Sequence, residues 1–142
     1  MSTPHTDLTT LFERRSEAMR TKDIDRLMSL YSPDVVYFDL VPPLQYAGST
    51  ALRERFSEWF TGWDGPIGME TRDLSIVVSG DIAIAHWFSR ASGTLKNEHE
   101  VGFWVRVTSC CLRSTDRWLI THEHVSLPID PKSRSAVMDL VP

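Results

Sequence analysis

Runs of like charge, long apolar stretches and a cysteine framework are all missing from these 142 residues. The chain has 15 Lys+Arg against 19 Asp+Glu, a formal net charge of −4, and no basic cluster. Phosphate recognition needs grouped Lys and Arg, so nucleic acid is not an expected partner. The longest apolar stretch, around Ile82 to Phe88, is interrupted by His86 and falls far short of a bilayer span, so no membrane partner is expected either. Met1 to His5 shows no basic region followed by an apolar run, and no signal peptide is expected. The two cysteines, Cys110 and Cys111, are adjacent and fit no zinc or C-x-x-C spacing. Two reduced thiols and a cytoplasmic location are the expectation. No G-x-S-x-G, P-loop or dinucleotide fingerprint occurs, so serine hydrolases, nucleotide binding and flavin folds lack support, and no cofactor is expected.

What is present is an ordinary globular composition, 42% hydrophobic and 24% charged. The length fits one domain spanning residues 1–142, with a tail from Pro128 to Pro142. Leu8, Leu11, Phe12, Arg15 and Met19 recur at helical spacing, which predicts a helix over about Asp7–Arg20 with Thr6 as its N-cap. Asp23 caps a short second helix that Pro33 ends. Val35–Leu40 is β-rich, and a third helix follows Gly48 with Leu52, Phe56, Trp59 and Phe60 on one face. Trp63-Asp64-Gly65-Pro66 reads as a turn. Four β-type runs then follow: Met69–Ser79, Ile82–Gly93, His99–Arg113 and Arg117–Ser126. Their short connections force antiparallel neighbours. Helices followed by a meander give an α+β domain with three helices across one face of a curved antiparallel sheet, enclosing a cavity.

Three segments carry a resemblance. The stretch from Lys22 to Asp39 resembles the "G-D-hydrophobic-D … L-aromatic-x-x-D-hydrophobic" segment of ketosteroid isomerases and SnoaL-like polyketide cyclases. Gly48-Ser49-Thr50-Ala51-Leu52-Arg53-Glu54 resembles their "G-x-x-A-I-R-E" helix start. Asp116 to Ser126 is similar to the "D-G-x-W-x-I-x-H-x-H-x-S" closing strand, found also in the association domain of calmodulin-dependent kinase II. The resemblance implies the cystatin-like cone of the nuclear transport factor 2-like superfamily. Its activity is left open, because this fold hosts isomerases, cyclases, hydrolases and inert assembly domains.

Asp39 is the sharpest candidate: a charge in an otherwise apolar strand, at the position of the isomerases' proton-transferring Asp. A carboxylate in a dry pocket is a useful base toward an acidic C–H; ketosteroid isomerase is itself a standard example of such tuning. The other reading is a strand-end Asp capping the Pro42-Pro43 turn. The isomerases' catalytic Tyr aligns with Arg15, and Val101–Val105 carries no second acid, so their steroid mechanism is not expected. Arg15 either snorkels to solvent or points into the cavity, where it would bind a ligand oxygen or pair with Asp39. On the last strand, strict alternation puts Leu119, Thr121, Glu123 and Val125 on one face and Trp118, Ile120, His122 and His124 on the other. The family match turns the Glu123 set inward, making Glu123 a second catalytic carboxylate; a shift of one residue would put both histidines inside. His122 and His124 would need His86 or His99 to complete a metal site, and no metal is expected.

Tyr31, Phe56, His86, Phe88 and Phe103, with Arg15, are the expected ligand-binding residues, alongside Tyr37 and Trp59 as core or cavity aromatics. The expected function is cofactor-free acid–base chemistry (isomerisation, cyclisation or hydration) on a small hydrophobic carbonyl compound. The alternative is a non-catalytic ligand-binding or oligomerisation domain. A homodimer through the convex sheet face, carrying Trp104 or Trp118, is expected, with the tail packed across that face.

Overall fold

Thr3, not Thr6, caps the first helix of the computed structural model, which describes residues 2–142. The Thr3 side chain accepts from the Thr6 amide at 3.2 Å. Pro4 sits in the first turn, where its missing N–H costs nothing, so α1 runs Pro4–Arg20. Its buried stripe is Leu8, Leu11, Phe12, Arg15, Ala18 and Met19. The second helix, α2 (Ile24–Met28), is capped by Asp23. The chain then turns directly into β1 (Tyr31–Phe38), and Pro33 lies inside that strand rather than after a helix. A two-residue strand, β2 (Tyr46–Ala47), precedes α3 (Ser49–Thr61).

The remaining strands are β3 (Trp63–Ser79), β4 (Ile82–Leu95), β5 (Glu100–Ser114) and β6 (Arg117–Ser126). The expected turn at Trp63–Pro66 is the start of β3. Gly93 makes that possible: with φ of +150°, it leaves room where a Cβ would lie 3.0 Å from the Pro66 carbonyl and 3.2 Å from the Trp63 ring. The six strands form one sheet in the order β2-β1-β6-β5-β4-β3. The β3–β6 meander is antiparallel as expected, but β1 pairs parallel to β6, so the sheet is mixed. Parallel pairing needs a long connection, and here everything from β2 to β5 lies between the two strands.

One face of the sheet carries the core. Along β4, Ala83, Ala85, Trp87 and Ser89 are buried while Ile82, Ile84 and His86 are exposed. Leu8, Leu27, Val35, Leu52, Ile67 and Ile120 are fully enclosed between this face and the helices. Each stabilises the fold by about 1.5–3 kcal/mol through loss of wet apolar surface. The opposite face exposes Val77, Ile82, Ile84 and Leu112.

Strict alternation fails in β6. Cys110 pairs with His122 but Cys111 pairs with Ile120, so Thr121 is an extra, bulged residue. The bulge reverses the phase of the strand. Trp118 and Ile120 are buried before it, and Glu123 and Val125 after it. Trp118 is therefore a core residue and not part of the outer face, where Trp104 lies beneath the Arg72 guanidinium.

In the tail, β7 (Ile129–Asp130) and β8 (Ser135–Ala136) form a small hairpin. Its end reaches the outer face, where Arg72 donates to the Pro142 carbonyl at 2.8 Å. Among the described residues no helix is long and apolar enough to cross a membrane.

Candidate functional site

Between the helices and the concave face lies a cavity of about 340 Å³. Its walls are mostly apolar: Phe56 and Trp59 from α3, Trp63 and Met69 from β3, Phe103 and Val105 from β5. Arg15, Tyr37, Asp39, Arg55 and Ser89 are the polar exceptions. Each reaches the cavity through the periodicity of its element. Arg15 follows Leu8, Leu11 and Phe12 on the buried stripe of α1. Arg55 sits between Leu52 and Trp59 on α3. Tyr37 and Asp39 are two residues apart, on one side of β1 and its extension, and so about 7 Å apart along the chain.

Arg15 does not snorkel. It is 3% exposed, and its partner is Glu123, which is 0% exposed. Arg15 Nη2 donates to Glu123 Oε1 at 2.8 Å, and Nε is shared between Oε1 and the Tyr31 hydroxyl at 3.2 Å each. The Tyr31 hydroxyl donates to the same oxygen at 2.7 Å, and Ser109 Oγ donates to Oε2. Glu123 thus accepts four hydrogen bonds, three on Oε1 and one on Oε2. Burial opposes the Arg15 charge and is the largest single influence on it, but the charge and hydrogen bond of Glu123, with Tyr31 and Tyr37, together raise the Arg15 pKa above its ordinary value. The guanidinium also lies over the Trp87 ring, 5.3 Å from its centre.

Asp39 sits just past the end of β1, with 12% of its side chain exposed. Oδ2 accepts from Arg55 Nε at 2.7 Å and Oδ1 from the Leu40 amide at 2.6 Å. Asp39 therefore pairs with Arg55 and not with Arg15. Burial opposes the Arg55 charge too, yet the hydrogen bond and charge of Asp39, with Tyr46 and Tyr37, together carry its pKa upward. Each Asp39 oxygen keeps one further acceptor position.

Among the described residues, donors of the wall that make no protein hydrogen bond include Arg15 Nη1, the Tyr37 hydroxyl and Ser89 Oγ. None of them is sealed off; among the described residues only Trp118 Nε1 is both enclosed and without a partner. Burial pushes the Tyr37 phenol well above its usual pKa, and the carboxylates of Glu123 and Asp39 add to this, so it remains a donor.

Of the expected residues, Asp39, Arg15, Phe56 and Phe103 line the cavity. Tyr31 lies one layer behind it, bonded to Arg15 and Glu123. Glu123, expected as a second catalytic carboxylate, is turned inward but sits behind Arg15 and not on the cavity wall, where it anchors the guanidinium. His86 and Phe88 lie on the far side of the sheet from the cavity, because Trp87 and Ser89, of opposite parity, point inward. His122 binds the Val36 carbonyl through Nδ1 at 2.7 Å, and both His122 and His124 pack edge-on against Phe38. Among the described residues no three His, Cys, Asp or Glu side chains are grouped as a metal would need.

Sequence reading missed Arg55, Ser89 and Ser109. Arg55 interrupts the apolar stripe of α3 as Arg15 does that of α1. The two serines interrupt inward rows of apolar residues in β4 and β5.

Comparison with known proteins agrees with the fold. The SnoaL-like domain family matches residues 8–130. An NTF2-like protein of unknown function from Pseudomonas putida KT2440 is 31% identical, with a TM-score of 0.90 over 100% of this chain and 99% of that one. A proposed dehydratase of the NTF2-like family from Streptomyces avermitilis is 21% identical, with a TM-score of 0.76 over 87% and 97% of the two chains. A protein with a cystatin-like fold from Caulobacter vibrioides is 13% identical, with a TM-score of 0.75 over 91% and 92%. The last two share the fold alone. No curated protein sequence matches the chain. With a cone of helices on a curved mixed sheet, and a family match over most of its length, this chain belongs to the SnoaL-like domain family of NTF2-like proteins.

Proposed function

We propose that the cavity binds a small hydrophobic carbonyl compound and that Asp39 moves a proton on it without a cofactor. One observation carries the reading: a carboxylate and unpartnered hydrogen-bond donors share the wall of one apolar cavity. Asp39 would take a proton from the carbon beside the carbonyl. The C–H electron pair would move toward the oxygen, and the resulting enolate would be held by Arg15 and Tyr37. Return of the proton elsewhere completes an isomerisation; attack by or on the enolate gives cyclisation, and loss or gain of water gives dehydration or hydration. Dehydration is the activity proposed for the Streptomyces neighbour, and it falls within this class.

A second reading, a non-catalytic binding pocket, is favoured by the engagement of both Asp39 oxygens with Arg55 and Leu40. Deuterium exchange separates the two. 2-Tetralone is a bicyclic ketone with acidic C–H groups, and its exchange in D2O can be followed by NMR. Catalysed exchange that falls about 10²–10⁴-fold in Asp39→Asn supports the base assignment. Binding of 2-tetralone with no exchange above buffer, or equal exchange in Asp39→Asn, leaves only the binding reading.

A further inference from the structure

The cavity wall taken alone carries two cations, Arg15 and Arg55, and one carboxylate, Asp39. On that count it should attract an organic acid. The buried surroundings reverse the conclusion. Asp39 and Arg55 cancel each other across 2.7 Å. The remaining positive charge, on Arg15, is cancelled by Glu123 at 2.8 Å, which lies behind the wall and has no exposed surface. Tyr31 and Ser109 hold that carboxylate in place with hydrogen bonds to its two oxygens. What Arg15 still offers the cavity is the N–H groups of Nη1, without a surplus of charge.

We infer that Glu123 sets the charge selectivity of the cavity, so that it takes a neutral oxygen acceptor such as a ketone and rejects the carboxylate of the same shape. A carboxylate ligand would lose its water and find no uncompensated cation. Taking an ion from water without a partner costs several kcal/mol even in relaxed protein interiors. A ketone oxygen needs only the donors already present: Arg15 Nη1, the Tyr37 hydroxyl and Ser89 Oγ, set in walls that are otherwise apolar. Glu123 is a positioning residue in this scheme, since it touches Arg15 and not the ligand. The inference rests on reading the cavity as a small-molecule site, but not on catalysis there.

Two probes of nearly equal shape test it: 2-acetylnaphthalene, a neutral ketone, and 2-naphthoate, its carboxylate counterpart. Binding is measured by calorimetry, with tryptophan fluorescence reporting from Trp59 and Trp63 in the wall. The native protein should bind the ketone more tightly by on the order of a hundredfold. Glu123→Gln keeps an acceptor for Arg15 while removing the charge, and should reverse the preference in favour of 2-naphthoate. Comparable affinities in the native protein would overturn the charge rule while leaving the binding site intact. A folded Glu123→Gln protein that still prefers the ketone by the same ratio would also overturn the role of Glu123. If neither probe binds at millimolar concentration, the small-molecule reading itself falls. Should Glu123→Gln not fold, the native ratio decides, because it needs no variant.

Discussion

Removing the Glu123 carboxylate while leaving Arg15 in place should be among the most damaging single changes in this protein. Glu123→Leu deletes the ion pair and the acceptor for four hydrogen bonds, and Arg15 is only 3% exposed. The guanidinium would then be a buried charge without a partner. Breaking such a pair from one side costs about 3–5 kcal/mol. For a chain of this length that corresponds to roughly 10–20 °C in melting temperature. Arg15→Leu should cost a comparable amount, because among the described residues Glu123 has no other cationic partner. The double variant Arg15→Leu/Glu123→Leu should be less damaged than the sum of the singles by about 2–3 kcal/mol, because apolar side chains then replace both charges. Urea unfolding of the four proteins, followed by circular dichroism, closes the cycle. Single losses below about 1 kcal/mol, or additivity within about 0.5 kcal/mol, would refute the claim that the two charges form one coupled buried unit.

Two smaller predictions accompany this one and those for Asp39 and Glu123 above. Burial, aided by the Glu123 charge, pushes the Cys111 thiol up to about 12, whereas Cys110 is half-buried on the outer face. At pH 8 a disulfide reagent should therefore label one thiol readily and the second only after denaturation; equal labelling of both in the folded protein would contradict the burial of Cys111. Gly93→Ala forces a Cβ to within 3.0 Å of the Pro66 carbonyl and 3.2 Å of the Trp63 ring, in a backbone conformation side chains rarely adopt. It should cost about 1–3 kcal/mol and shift the tryptophan emission; an unchanged melting curve would mean that β3 relaxes freely.

Local pattern determined a good deal of this protein. The 3.6-residue stripe of Leu8, Leu11, Phe12, Arg15 and Met19 marked α1 and put Arg15 on its inner side. The stripe of Leu52, Phe56, Trp59 and Phe60 did the same for α3. Alternation with short turns marked the antiparallel meander, and three ordered motifs pointed to the family. Asp39 stood out as a charge in an apolar strand. All of these are signals carried between residues close in the chain.

Tertiary structure decided the rest, because it depends on residues distant in sequence. The parallel pairing of β1 with β6 joins the beginning of the sheet to its end, and no local period encodes it. The bulge at Thr121 breaks the alternation that divided β6 into two faces, which is why Ile120 and Glu123 share the interior. The direction of β4 in the sheet, fixed by its neighbours, turned His86 and Phe88 away from the cavity and Ser89 toward it. Above all, sequence left Arg15 free to snorkel, to bind a ligand or to pair with Asp39. A partner 108 positions away, Glu123, settled its charge, and Arg55 took Asp39 instead. Helical and strand periods tell which side of an element a residue occupies, but the electrostatics of a buried site are set by which sides the fold brings together.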